Sequence, residues 1–150
     1  MRRALPDSSC LISLRNAELL YLLKDLFDEI IIPLAVQREI GFQLDWISAG
    51  PITPQPYSPS LQKLGEGERE AIALALQIEG VVLILDDREA RKIAENLNLP
   101  HTGTLGLLVQ AKRQGIITSV KPCMDALEKV GFRYSRTLYQ KILKMVDEDQ

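Results

Sequence analysis

Residues 65–88, GEGEREAIALALQIEGVVLILDDR, decide the fold. After two Gly-Glu pairs, apolar residues recur at helical spacing, which predicts a helix over 69–79. Gly80 follows, and glycine is the residue that most readily ends a helix. The apolar residues at 81–85 then predict a short strand that is buried on both faces, as strands of parallel sheets are. A helix that leads directly into such a strand is typical of an α/β protein.

The same alternation of short strands and helices runs through the rest of the chain. Upstream it predicts strands at 4–5 and 29–32, one or two helices over 11–27, and a helix that begins at Pro33. Downstream it predicts helices at 88–97, 105–114, 120–130 and 136–146, a strand at 99–102, and Ser135 as the cap of the last helix. The proline-rich stretch 41–60 predicts a loop with an edge strand around Ile52. We therefore expect an α/β fold with a parallel sheet that helices cover on both faces.

Length and composition favour one soluble domain over residues 1–150. Hydrophobic residues make up 46% of the chain and charged residues 25%, close to the average of globular proteins. No apolar run approaches the ~20 residues of a membrane span, and no apolar segment typical of a secretory signal follows the first arginines. The two cysteines, Cys10 and Cys123, lie far apart and fit a reducing compartment. We expect a cytoplasmic protein without a membrane partner, and the net charge of −2 argues mildly against a protein that coats nucleic acid.

Acidic residues occur where the predicted strands end. Asp7 follows the first strand, and both Asp86 and Asp87 follow the central one. Sites in parallel α/β sheets form beyond the carboxyl ends of the strands, so these side chains are expected at one edge. Glu39, in the helix after the second strand, and Glu68, in the first turn of the helix before the central strand, can join them. Taken singly, each acid can equally be a helix cap or a solvent-facing residue, so the case rests on the pattern.

A group of carboxylates without thiols or several histidines indicates a particular kind of metal. Oxygen ligands suit Mg²⁺ or Mn²⁺ rather than zinc. Crowded carboxylates resist joint ionisation, and a bound cation removes that cost. Such a cation can also activate water and hold phosphate oxygens, which is the chemistry of a nuclease.

The order and spacing of these motifs resemble the PIN domain family, and more narrowly a prokaryotic PIN-like branch with the Gly-Glu-Gly-Glu helix start. The motifs are Asp7-Ser8-Ser9, Val36-x-x-Glu39-Ile40, Gly67-Glu68-x-x-Ala71-Ile72, Leu85-Asp86-Asp87-Arg88, Gly103-Thr104-Leu105-Gly106, Ala111 to Gly115 and Gly131-Phe132-Arg133. The resemblance covers essentially the whole chain. It implies a three-layer α/β/α PIN-like fold with a mainly parallel central sheet.

The resemblance also implies an activity, namely an endonuclease that cuts RNA with Mg²⁺ or Mn²⁺. It makes Asp7, Glu68 and either Asp86 or Asp87 the metal ligands, and it adds Glu39 to the catalytic set. Counting from the glycine that ends the preceding helix favours Asp87, whereas counting back to Glu68 favours Asp86, so both stay candidates. Many family members are toxins of toxin–antitoxin pairs, and PIN proteins commonly pair through their early helices. An antitoxin protein and a second copy of the chain are therefore candidate partners beside RNA.

Further residues are candidates for supporting roles. Those that can contact RNA phosphates are Arg88, Arg91 and Lys92, with Lys112 and Arg113 on a later helix. Those that can hydrogen-bond the carboxylates or a metal-bound water are Ser8, Ser9, Thr102 and Thr104. For the cations an ordinary charged helix face is the preferred interpretation, and for Thr102 and Thr104 a role in a turn accounts equally well for the sequence. His101, the only histidine, is interpreted as structural.

Other classes of protein fit the sequence less well. A catalytically weak PIN-like module that binds nucleic acid or protein is the main alternative, but such a module has no need to keep mutually repelling carboxylates. A phosphoacceptor receiver domain carries its acidic pair after the first strand, where this chain has Asp7 alone. A haloacid-dehalogenase-like phosphatase would need an early Asp-x-Asp, and Asp7-Ser8-Ser9 lacks the second acid.

Overall fold

The computed structural model describes residues 2–53 and 57–149. Its strands are β1 Arg3–Pro6, β2 Glu29–Pro33, β3 Ile47–Gly50, β4 Val81–Ile84 and β5 His101–Thr102. They form one sheet in the order β3-β2-β1-β4-β5, and each neighbouring pair is parallel. The predicted parallel sheet is confirmed, with β1 at its centre.

The helices of the described residues lie between and after these strands. They are α1 Ser8–Asn16, α2 Tyr21–Leu26, α3 Leu34–Ile40, α4 Pro59–Gln62, α5 Glu66–Gln77, α6 Arg88–Asn96, α7 Thr104–Arg113, α8 Lys121–Lys129 and α9 Arg136–Met145. The stretch predicted as one or two helices over 11–27 is thus α1 and α2. Ser135 caps α9 as predicted, because its side chain accepts a hydrogen bond from the Leu138 N–H. Within the described residues, no helix is both long and apolar enough to cross a membrane.

Buried side chains alternate along the central strands and divide the interior into two layers. Ala4 of β1 and Ile84 of β4 belong to one apolar cluster, with residues of α1, α2, α7, α8 and α9. Leu5 and Leu83, their neighbours in the chain, belong to the other cluster, with residues of α5 and α6. Period-two alternation sends successive side chains to opposite faces of a sheet. The structure therefore has the α/β/α layers that the sequence predicts.

The edge strand lies earlier than predicted. We expected it around Ile52, but β3 ends at Gly50, which is in register with Pro33 of β2. Pro51 follows directly and has no backbone N–H to continue the ladder. The predicted loop also ends sooner, because Pro59 begins the short helix α4. The loop prediction at 54–56 lies outside the described residues.

The two central strands end side by side, and this positions the acids. Pro6 of β1 is in register with Ile84 of β4, and the Asp7 N–H donates to the Ile84 carbonyl at 2.9 Å. Helix α1 starts directly after Asp7, and α6 starts directly after Asp87. Both strand-to-helix turns therefore present an aspartate at the carboxyl edge of the sheet.

Candidate functional site

Asp7 lies deepest among the candidate acids, with only 4% of its surface exposed. Its Oδ1 accepts a hydrogen bond from the Cys10 N–H at 2.8 Å, as a helix cap does, and its Oδ2 accepts from the Asp86 N–H at 3.1 Å. Burial, and next the negative charge of Asp86, raise the pKa of Asp7 to about 7 although both hydrogen bonds oppose the shift. The structure thus holds a carboxyl group that ionises with difficulty at the centre of the edge.

Asp86 stands next to Asp7 at the end of the central strand and is half-buried. Its Oδ1 accepts from the Thr104 N–H at 2.8 Å, and its Oδ2 accepts from the Thr104 hydroxyl at 2.5 Å. Thr104 is fully buried at the start of α7. Gly103 leaves room for this contact, since a Cβ there would come within 3.1 Å of Asp86 Oδ1. Thr104 therefore orients Asp86, the supporting role that the sequence proposes for it.

Asp87 has different surroundings from its neighbour. It is exposed and caps α6, where its Oδ2 accepts from the Ala90 N–H at 2.9 Å. It also lies beside Glu68, close enough for their carboxyl groups to share a hydrogen bond. The pKa of Glu68 is raised by its partial burial, then by the charge and hydrogen bond of Asp87, and last by the charge of Glu39. The two consecutive aspartates thus face different partners.

Glu39 joins the site from α3. It is exposed, and its Oε1 accepts from the Ser8 hydroxyl at 2.6 Å. Gly67, in the first turn of α5, packs directly on this side chain: a Cβ on Gly67 would clash with Oε1 and lie 2.9 Å from Cδ. The second glycine of the Gly-Glu-Gly-Glu start therefore brings α5 against Glu39.

The five predicted acids come together at one edge, and we call them the acidic cluster: Asp7, Glu39, Glu68, Asp86 and Asp87. Charge interactions link Asp7 with both Asp86 and Glu68, and link Glu68 with Asp87 and Glu39. In the described part of the chain, no three of these side chains are already arranged to hold one ion. A Mg²⁺ ion keeps several waters and commonly takes only one or two carboxylates, so the oxygen-only donor set suits it without a closed cage. Burial is the first cause of the raised pKa values of Asp7 and Glu68, and the charges of neighbouring carboxylates raise them further. A cation would relieve this repulsion between the carboxylates.

The other predicted supporting residues lie in several places. Ser9 is exposed and lines a groove of about 680 Å³ that begins at Asp86. Thr102 lines the same groove. His101 Nδ1–H donates to the Leu99 carbonyl at 2.9 Å, in line with the structural role expected for it.

The cations predicted to contact RNA phosphates lie in different parts of the structure. Arg91 and Arg113 line the groove, whereas Lys92 lies in a second hollow of about 460 Å³ between α4 and α6, and Arg88 lines neither. Lys112 is committed elsewhere, because its Nζ donates to the carboxylate of Glu148 at 2.8 Å. Its contact with an RNA phosphate stays a prediction.

Two further cations line the groove, and the sequence did not predict them as site residues. They are Arg133, from the segment before α9, and Lys141, on α9. Arg133 occurs in the Gly-Phe-Arg motif, which served only as a family marker. Lys141 carries no sequence signal, because only the fold brings α9 into the lining of the same hollow as Asp86 and α7. We call this hollow the basic groove, with Arg91, Arg113, Arg133 and Lys141 on its rim.

Comparison with known proteins places the chain in a family. A family model described as DUF3368, a PIN domain, matches residues 4–148, which include every acid of the cluster and all of the sheet except Arg3. No curated protein matches the chain. PIN domains are generally nucleases that use divalent metal ions. The match over nearly all of the sequence, together with the parallel sheet and the acidic edge, means that the chain belongs to the PIN domain family.

Proposed function

We propose that the chain is a divalent-metal-dependent ribonuclease that hydrolyses phosphodiester bonds of RNA at the acidic cluster. The observation that supports this most strongly is the convergence of four separate segments on one sheet edge: the ends of β1 and β4, the helix α3 and the start of α5. Five carboxylates on four segments have no structural need to meet, and the raised pKa of Asp7 is a cost to the fold.

The residues divide into roles. Asp7 and Asp86 form the inner pair, and we assign the ligand position beside Asp7 to Asp86 because their carboxyl groups interact directly. Glu68 and Asp87 form the outer pair. Mg²⁺ or Mn²⁺, when bound there, supplies an activated water and charge neutralisation at the phosphate. The hydrogen bonds from Thr104 to Asp86 hold that carboxylate in place before RNA arrives.

Glu39 has the freedom that a proton-accepting group needs. It is exposed at the edge, and a single hydroxyl, that of Ser8, donates to its carboxylate among the described residues. A carboxylate in that position can orient or deprotonate an attacking water. We therefore place Glu39 next to the nucleophile rather than on the metal.

The test is cleavage of a mixed RNA pool by the purified chain with Mn²⁺ or Mg²⁺. Asp7→Asn and Glu68→Gln are expected to lower the rate by at least about a hundredfold, the scale of losing a group that acts on the transition state. Glu66→Gln is the matched control, because Glu66 lies two residues before Glu68 on α5 but pairs with Arg38 at 2.6 Å. Wild-type rates in Asp7→Asn would contradict the proposal, since they would place the activity outside the cluster.

The toxin role, an antitoxin partner and a homodimer rest on the resemblance of the motifs and stay predictions. The alternative of a catalytically weak binding module predicts RNA or protein binding without any metal-dependent cleavage. The same assay separates it from the ribonuclease proposal.

A further inference from the structure

The first turns of α5 carry three glutamates, each two residues after the one before: Glu66, Glu68 and Glu70. Glu68 lies beside Asp87 in the acidic cluster. Glu66 and Glu70 both contact α3 instead. Residues two apart point to roughly opposite sides of a helix, whereas residues four apart share a face. One side of α5 therefore contributes to the cluster, and the opposite side holds α3, the helix that carries Glu39.

Glu70 supplies a cap that the sequence before α3 does not provide. An aspartate or serine side chain caps α1, α6 and α9, but Pro33 precedes α3, and its side chain has no hydrogen-bond acceptor. The N–H of Ala35, the second residue of α3, donates to Oε1 of Glu70 at 3.3 Å. Ala35 is only 1% exposed, so water cannot readily replace this acceptor. A helix of seven residues depends on such contacts, because a helix this short is marginal by itself.

The capped N–H lies one turn before Glu39. Ala35 and Glu39 are four residues apart, so they lie one above the other along the same side of α3. Gly67 of α5 packs on the Glu39 side chain, and Glu70 of α5 holds the turn before it. A shift of Ala35 away from α5 therefore also moves the point from which Glu39 enters the cluster.

The contact of Glu66 is of a different kind. Its partner Arg38 has 63% of its side chain exposed, and Glu66 has 53% exposed. Exposed ion pairs contribute little to stability. Glu66 and Glu70 thus lie on the same face of the same helix and contact the same partner helix, but only Glu70 pairs with a buried N–H.

We infer that Glu70 is a positioning residue for Glu39: it holds the first turn of α3 against α5 and so fixes where Glu39 meets the attacking water. The inference rests on the proposed function and adds to it a residue outside the acidic cluster. It predicts that loss of Glu70 slows the chemical step while the affinities for RNA and for the metal stay the same.

The experiment measures kcat and KM for RNA cleavage under Mn²⁺, with the Mn²⁺ concentration at half-maximal rate. Glu70→Ala is expected to lower kcat by at least about tenfold, with KM and the Mn²⁺ requirement within about twofold of wild type. Glu70→Gln keeps an acceptor oxygen at the same reach and should recover kcat to within about threefold of wild type. The matched control is Glu66→Ala, which is expected to stay within about twofold of wild type. In a Glu39→Ala background, Glu70→Ala should slow cleavage no further.

A kcat of wild-type size in Glu70→Ala would overturn the inference. So would a glutamine variant as slow as the alanine variant, an equal loss in Glu66→Ala, or a loss that persists in full without Glu39. If Glu70→Ala does not fold by circular dichroism, Glu70→Asp carries the same expectation, because its side chain is one methylene shorter and the bond to Ala35 is already 3.3 Å long.

A second readout does not depend on cleavage. The carbon-13 NMR signal of the Glu39 carboxylate in EDTA should move in Glu70→Ala and return to its wild-type position in Glu70→Gln. That result in a chain that does not cut RNA would sustain the positioning of Glu39 and count against the ribonuclease alone. A signal that does not move in Glu70→Ala would overturn the inference.

Discussion

Asp7 accepts two backbone hydrogen bonds and still lies beside two other carboxylates, those of Asp86 and Glu68. The first bond is that of an ordinary helix cap, and the second joins the ends of the two central strands. Neither requires a buried charge, since asparagine or serine can also cap a helix. The choice of aspartate at this position is therefore best explained by the site.

The raised pKa of Asp7 predicts how stability depends on pH. The carboxyl ionises near 3.8 when unfolded but at about 7 in the fold, so over this range the unfolded chain releases a proton that the fold retains. Stability therefore falls as pH rises from about 4 to about 7, and then levels off. The variant Asp7→Asn has no ionisable group at this position, so its stability lacks this dependence on pH. Urea unfolding in EDTA measures this difference. Between about pH 5 and about pH 8, the free energy of unfolding of wild type should fall by about 2–3 kcal/mol more than that of the variant. Parallel pH profiles would show that Asp7 is ionised freely in the fold.

Thr104 offers a test of orientation at Asp86. Thr104→Val keeps the buried shape but removes the hydroxyl that donates to Asp86 Oδ2 at 2.5 Å. We expect a loss of about 1–3 kcal/mol in the free energy of unfolding, the scale of a hydrogen bond to a charged group, and slower RNA cleavage. Thr104→Ser restores the donor and should recover the cleavage rate. A valine variant with wild-type stability and rate would mean that the hydroxyl does not hold Asp86.

Gly67 offers a test of the contact between α5 and Glu39. Gly67→Ala places a Cβ where Glu39 Oε1 lies, so the exposed glutamate must turn away. The fold should tolerate this, because alanine favours a helix over glycine by about 1 kcal/mol, whereas cleavage should fall. In a Glu39→Ala background the same substitution should change the rate no further, a coupling that a double-mutant cycle measures. Additive effects on the rate would contradict the contact.

At the scale of helices and strands, the sequence predicts most of what places the acids. Apolar runs bounded by glycine and proline mark the strands. Parallel strands bring Asp7 and Asp86 to one edge regardless of the conformation of the loops. The choice between Asp86 and Asp87 could not be made from counting. It needs the geometry, in which Asp87 caps α6 and faces Glu68 while Asp86 faces Asp7. The edge strand was predicted at the wrong residues, because the spacing of the prolines limits where a strand can lie but does not determine its register.

Helix α8 depends on a contact from the end of the chain. The Glu148 carboxylate accepts from the N–H groups of Val120 and Lys121 at 2.7 and 2.9 Å and from Lys112 Nζ. It thus caps α8 and ties the C-terminal segment to α7. Glu148→Ala should lower the free energy of unfolding by about 1–3 kcal/mol in urea titration, because three donors lose a partner. Asp149→Ala, at an exposed neighbour, is the control, and equal stability of the two variants would contradict the role of Glu148.

At the scale of the whole molecule, the protein separates charge by sign along one edge. The acidic cluster occupies the end of β1 and β4 with α3 and α5, and the basic groove extends from Asp86 along α7 and α9. The sequence indicates the acids but not the groove, because the rim cations come from elements that meet only after folding. A net charge of −2 conceals this arrangement, since opposite local charges cancel in the sum.

The central claim is that the acidic cluster binds a divalent metal and cuts RNA with it. The most direct test is a titration of wild type and Asp7→Asn with Mn²⁺, followed by thermal unfolding and by cleavage of an RNA pool with each protein. We predict that Mn²⁺ at a hundredfold excess over Kd stabilises the fold of wild type by about 2.7 kcal/mol and so raises its Tm. We also predict that only wild type cuts RNA. A Tm that does not respond to the metal in either protein, or cleavage that persists in Asp7→Asn, would contradict the claim.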